Sequence, residues 1–226
     1  MTPVRHALVS GASSGIGAAI VRELLRDHWK VTGISRTPAA IDHPKYAHVS
    51  LDLADTGNLA STVGQMQVHA FVHAAGFMRT GRLGALDPQA HEAMWRVHVL
   101  AAEEIANALL ARMPNGGRIV LVGSRAAGGI PGRSQYGATK AALVSMARAW
   151  GAELAPRQIS VNVVAPAATA TPMLNDPARA GEGPKLPPMG RYIAPEEVAA
   201  TVGFLLSPAA GAITGQQLVI CGGSSL

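Results

Sequence analysis

Short β-rich apolar runs alternate with longer helical patterns along this chain, and that alternation limits the folds open to it more than any other feature. The runs are HALVS (6–10), KVTGIS (30–35), AHVSL (47–51), AFVHA (70–74), RIVLVG (118–123), ISVNVV (159–164) and QLVI (217–220). Helical patterns near 15–28, 57–65, 88–113, 134–155 and 195–206 separate them. Several runs are continuously apolar rather than alternating, as expected of strands covered on both faces of a parallel sheet. Strand, helix, strand, helix in this order predicts a single-domain α/β fold of the Rossmann type, a doubly wound parallel sheet of about seven strands. Its crossovers are expected to be right-handed. At 226 residues the chain suits one domain with a large core, 1–226. Aromatics are only 4%, so that core must be built from Ala, Val, Leu and Ile.

One segment breaks the rhythm. TPMLNDPARAGEGPKLPPMG (171–190) is rich in proline and glycine and holds no lasting periodicity. It reads as a long loop following the carboxyl end of a strand, where open α/β sheets bind ligands, and so as a loop over the substrate.

Two local patterns carry chemistry. VSGASSGIGAAIV (9–21) joins the first strand to the first helix, with glycines at Gly11, Gly15 and Gly17. Small residues let the backbone approach a pyrophosphate, and free N–H groups at a helix start favour anions. Ser13 and Ser14 add hydroxyls. In SQYGATKAAL (134–143), Tyr136 and Lys140 stand four apart, on one face of a helix. Alone this pair is as consistent with a surface contact as with a site. A phenol with an ordinary pKa near 10 is a poor proton acceptor at neutral pH, whereas a nearby ammonium favours the phenolate.

With these motifs the chain resembles the short-chain dehydrogenase/reductase family from about residue 5 to 224. The matching stretches are SGASSGIG, LDLAD (51–55), HAAG (73–76), the serine of LVGS (121–124), YGATK (136–140), VNVVAPAATATPM (161–173) and ITGQQLVICGG (213–223). The resemblance implies an enzyme that uses NAD or NADP to interconvert a carbonyl and a secondary alcohol, usually as a homotetramer or homodimer. Tyr136 would be the general acid in reduction and the base in oxidation. Lys140 would bind the nicotinamide ribose and lower the Tyr136 pKa, and Ser124 would hydrogen-bond the substrate oxygen. His98 falls where most members carry Asn. There the backbone carbonyl would hold a water of a proton relay, or the side chain would be a satisfied buried histidine. HAAG in place of the frequent NNAG, and Ala167 where Gly usually follows Pro166, are further departures.

The remaining cofactor contacts implied by the resemblance are Ile16 in the turn, Asp52 and Leu53 at the adenine, Ala74, Ala75 and Gly76 after the fourth strand, and Pro166, Ala167, Thr169 and Thr171 near the nicotinamide. The second strand ends GISRT (33–37), with Ser35 and Arg36 where NAD-preferring members place a carboxylate. An arginine can hold a 2′-phosphate with charge-assisted, often bidentate bonds, so NADP(H) is expected rather than NAD(H). A solvent-facing arginine is the alternative. Ile130 to Arg133, Arg125 and Phe77 to Arg79 are expected to line the substrate mouth. Arg79, Arg125 and Arg133 would attract an anionic or carrier-linked substrate.

Other classes fit less well. The net charge of +5 suggests nucleic acid, but the basic residues are scattered and few aromatics are present to stack bases. No nucleic-acid or membrane partner is expected, since no stretch of 18 apolar residues occurs. The opening MTPVRHALVSG lacks the apolar length of a signal peptide. One cysteine, Cys221, permits no internal disulfide. Both fit a cytoplasmic protein. His69 and His73 would stand roughly 13 Å apart on a strand, and His91 and His98 roughly 10.5 Å apart along a helix, so no catalytic metal is expected. A non-catalytic dinucleotide-binding sensor or scaffold of the same fold is the alternative function.

Overall fold

A computed structural model of the chain describes residues 4–176 and 185–226. Seven parallel strands form one sheet: β1 (His6–Ser10), β2 (Lys30–Ser35), β3 (Tyr46–Ser50), β4 (Ala70–His73), β5 (Arg118–Val122), β6 (Ser160–Pro166) and β7 (Gln217–Ile220). Their order is β3-β2-β1-β4-β5-β6-β7. The order reverses between β1 and β4, so a crevice opens at their carboxyl ends. Register there pairs Ser10 with His73, which sets the glycine turn after β1 beside the segment after β4.

The helices are α1 (Gly15–Arg26), α2 (Leu59–Val63), α3 (Pro88–Trp95), α4 (Ala101–Leu110), α5 (Ser134–Leu154) and α6 (Pro195–Leu206). Along β1, Ala7 and Val9 face α1 and α6 in one core, with Val21, Leu24, Val198 and Val202. Leu8 faces the other core, with Leu59, Ile105, Leu109 and Leu143 from α2, α4 and α5. Burial on both faces is why these strands read as continuous apolar runs. Helix α6 starts at Pro195, and the Glu197 carboxylate accepts the Ala194 N–H at 2.8 Å while pairing with Arg191 at 2.6 Å.

The structure departs from expectation in particular places. The pattern at 57–65 is a 3₁₀ turn, Thr56–Asn58, running into a short α2. The long helix expected over 88–113 is two α-helices joined by a π-helical turn, Arg96–Leu100, with His98 inside it. Strand β6 runs on to Pro166, because it pairs β7 through that residue. The loop expected over 171–190 begins with a 3₁₀ turn, Pro172–Asn175, and its residues 177–184 lie outside those described.

Candidate active site

A cleft of about 1290 Å³ follows the carboxyl ends of the strands. One wall is the turn between β1 and α1. Gly11 has φ +69°, and a Cβ there would meet the Ala75 Cα at 2.6 Å. Only glycine allows the turn to lie this close to the segment after β4. Ser14, the residue before the helix, is extended and makes no side-chain cap. The first N–H groups of α1 therefore face the cleft without an internal acceptor, an anion-binding geometry. Ser13, Ser14, Gly15, Ile16 and Gly17 line it there, with Ala74, Ala75 and Gly76 opposite.

Further along, Ser35, Arg36, Asp52 and Leu53 line one end, and Pro166, Ala167, Thr169 and Thr171 the other. The Ser35 hydroxyl is committed to its own loop, donating to the Thr37 carbonyl at 2.7 Å. Beside it at that strand end stand the exposed Arg36 and Thr37. One Asp52 carboxylate oxygen accepts from the Ala54 N–H at 3.0 Å.

Helix α5 supplies the core of the site. Tyr136, Thr139 and Lys140 lie on its buried face and are at most 6% exposed. The helix reaches the turn Arg125–Gly128 through Gly137, where a Cβ would meet the Ala126 carbonyl oxygen at 2.7 Å. That close approach seats Ser124, at the start of the turn, in the cleft wall with Tyr136 and Lys140. The Ser124 Oγ accepts from the Ala126 N–H at 3.1 Å, which leaves its own proton to donate. Lys140 Nζ donates to the Val122 carbonyl at 2.9 Å and stands 5.9 Å from the Tyr136 ring centre. Burial pushes the lysine down to about 7.

Sequence reasoning missed a polar network behind this wall. His98 is fully buried. Its Nε2 accepts the Phe77 N–H at 3.1 Å, so the ring proton sits on Nδ1, which donates to Thr139 Oγ1 at 2.8 Å. Thr139 passes the chain on, donating to the Tyr136 carbonyl at 2.8 Å. The neighbouring His73 is also buried, with Nε2 donating to the Val97 carbonyl at 3.1 Å and Nδ1 accepting from Ser10 at 2.8 Å. Burial first, then the nearby Lys140, holds His98 well below the usual histidine range and His73 at about 3. Both nitrogens of each ring are hydrogen-bonded, and burial disfavours the charged form of both. For the His98 side chain the buried-histidine reading holds, and the ring backs the tyrosine-bearing turn, edge-on to Tyr136. The sequence signal for Thr139 was its place three residues after Tyr136 on the same helix face. Gly137 and His73 gave no comparable signal.

At the substrate end, Phe77, Met78, Ile130 and Met173 pack with Tyr136. Arg79, Arg125 and Arg133 line this end as expected, but Arg79 is paired with Asp176 at 3.2 Å. Among the described residues, no group of three or more His, Cys, Asp or Glu side chains could hold a metal ion, and no helix is long and apolar enough to cross a membrane.

A family model described as enoyl-(acyl carrier protein) reductase matches residues 11–225. The chain is 35% identical to the 2,3-dihydro-2,3-dihydroxybenzoate dehydrogenase of Escherichia coli, over 98% of this chain and 97% of that one. The chain belongs to the short-chain dehydrogenase/reductase family. Another member, the 3-oxoacyl-acyl-carrier-protein reductase FabG of Salmonella typhimurium, is 31% identical, with 96% of each chain covered. Among solved structures, a blue fluorescent protein from a metagenomic library, in complex with NADPH, superposes with a TM-score of 0.86 at 30% identity, covering 98% of each chain. As an oxidoreductase of this family the chain binds a nicotinamide dinucleotide, and the cradle described above fits one: the glycine turn admits a pyrophosphate and the uncapped start of α1 supplies its donors.

Proposed function

We propose that this protein interconverts a carbonyl and a secondary alcohol using NADP(H), with Tyr136 as the group that gives or takes the proton. The observation that carries this reading is the convergence of Ser124, Tyr136 and Lys140 on one cleft that also holds the anion-binding turn. Bound in that cleft, the nicotinamide would supply or accept the hydride. The chain's own residues would do the rest. Ser124 and Tyr136 bring two hydroxyl-bearing side chains to one cleft, and two donors on a substrate oxygen would stabilise the negative charge that develops there. Tyr136 completes reduction by passing its proton to that oxygen. A charged Lys140, 5.9 Å from the ring, stabilises the phenol oxygen as its proton leaves. Holding the three groups on one helix and one abutting turn supplies orientation, and no covalent intermediate is needed.

NADP(H) is preferred to NAD(H) because β2 ends in Ser35, Arg36 and Thr37, with no carboxylate to repel a 2′-phosphate. The relative solved with NADPH is in keeping with this choice. We place the enzyme in the cytoplasm, with a free Cys221 thiol, as a homodimer or homotetramer joined through the α4 and α5 faces, where Val144 and Trp150 are only partly buried.

The test is NADPH consumption over a panel of aliphatic, acyl-thioester, sugar and cyclic ketones, beside Tyr136→Phe. Turnover by the parent, cut at least a thousandfold in the variant, is the expected result. A variant as active as the parent would remove Tyr136 from the chemistry. Cofactor binding with no turnover of any ketone would favour the sensor reading.

A further inference from the structure

The substrate end of the cleft pairs an apolar floor with a cationic rim. Around Tyr136 the floor is Phe77, Met78, Ile130 and Met173. On the rim, among the described residues, stand Arg79, Arg125, Arg133 and Lys185, with the carboxylate of Asp176. Two segments build this rim together: Gly81, just after Arg79, bridges Arg133, and its N–H donates to the Gly132 carbonyl at 2.9 Å.

Arg79 is the best-placed of these cations. Its guanidinium lies 5.0 Å from the Phe77 ring centre, and one nitrogen donates to the Met78 carbonyl at 2.9 Å. The same nitrogen reaches the Asp176 carboxylate, from a different segment, at 3.2 Å. The guanidinium is thus oriented by its stack and its backbone contact, and it holds a carboxylate from a segment distant in sequence. Arg79 is linked to Tyr136 through two ring contacts: Phe77 stands 5.8 Å from His98, and His98 stands 5.7 Å from Tyr136.

We propose that Arg79 anchors a carboxylate on the substrate, and that Asp176 holds this place until the substrate displaces it. The proposal rests on the carbonyl–alcohol reading of the cleft and names its substrate class: a ketone or secondary alcohol with an apolar body and a carboxylate beyond it. The class is a carboxylate rather than a phosphate because a carboxylate already sits on this guanidinium. Displacement is easy because both partners are part-exposed, at 38% and 30%, and pairs of that exposure hold weakly. A planar, pre-oriented fork suits a carboxylate better than a flexible ammonium would.

Two probe pairs test this: 4-acetylbenzoate and 5-oxohexanoate, each with its methyl ester. Calorimetric affinities are measured on the full chain saturated with NADP⁺, so that no turnover is required, and kcat/KM is measured with NADPH. For at least one pair the acid is expected to bind about tenfold or more tightly than its ester. Arg79→Gln should remove that preference, Arg79→Lys should keep part of it, and Asp176→Asn should raise it several-fold. An acid that binds no better than its ester in both pairs overturns the proposal, as does a preference that survives intact in Arg79→Gln. A preference that depends on Arg79 without turnover of any probe upholds the anchor and counts against the carbonyl–alcohol reading instead.

Discussion

The ring of His98 stands edge-on to the ring of Tyr136, with centroids 5.7 Å apart and planes at 86°. The proposed proton donor is therefore backed by a side chain whose own two nitrogens are both occupied.

Replacing His98 with Leu leaves the part-buried Phe77 N–H without its acceptor and the buried Thr139 hydroxyl without its donor. Such an orphan costs about 1–3 kcal/mol, to be read from urea unfolding. Turnover should also fall, by about tenfold to a hundredfold, through displacement of Tyr136. His98→Asn, whose amide oxygen can take the Phe77 N–H, should recover part of both. Full activity in the Leu variant would show that the phenol is positioned without this ring.

Stability should depend on pH through three buried bases. Lys140 sits at about 7 when folded, against 10.5 when free. Between those values the unfolded chain holds more protons, so stability rises with pH across the window, and below pH 7 the burial penalty is complete. His73 sits at about 3 against 6.5, and His98 is lowered too. Their neutral burial therefore loses stability as pH falls below about 6.5, for His73 toward 3. For Lys140 and His73 the change is on the order of a few kcal/mol over each window. Denaturant unfolding of Lys140→Met should lack the rise between pH 7 and 10, and should show greater stability than the parent at pH 6. Parallel curves for the two proteins would contradict the lysine assignment.

The phosphate turn offers a steric test. A Cβ at Gly17 would run into the carbonyl of Gly11. Gly17→Ala should therefore force the turn to shift, destabilising the fold by about 1–3 kcal/mol. It should weaken NADP⁺ binding at least tenfold, as followed by calorimetry. Unchanged affinity would mean that the turn does not touch the nucleotide.

Cofactor choice rests on Arg36. In Arg36→Asp, the ratio of kcat/KM for NADPH to that for NADH should fall by at least a hundredfold. A new carboxylate repels a 2′-phosphate and accepts from ribose hydroxyls. A ratio that moves by less than threefold would assign the preference elsewhere.

Much of this molecule was legible before its coordinates. The strands announced themselves because both faces of the sheet are covered, so Ala7, Leu8 and Val9 are all buried and all apolar. The glycine turn was legible because close backbone approach admits few residue types. What escaped notice depends on contacts between segments distant in sequence. The break around His98 is invisible in a helical periodicity that continues across it. Gly137 reads as an ordinary helix residue until the Arg125–Gly128 turn is laid against it. Arg79 read as a free cation because Asp176, its partner, lies 97 residues further on. Nothing in the sequence shows the Ser35 hydroxyl turning back to Thr37.

The seam at Gly137 means that the proposed site is complete only once α5 has docked on the Arg125–Gly128 turn. An isolated α5, however helical, presents its phenol and amine on one side with no serine across from them. A compact intermediate whose helices have formed but not settled against the sheet would be silent in any turnover assay. Recovery of activity during refolding should therefore lag behind recovery of helical circular dichroism and keep time with burial of the α5 face.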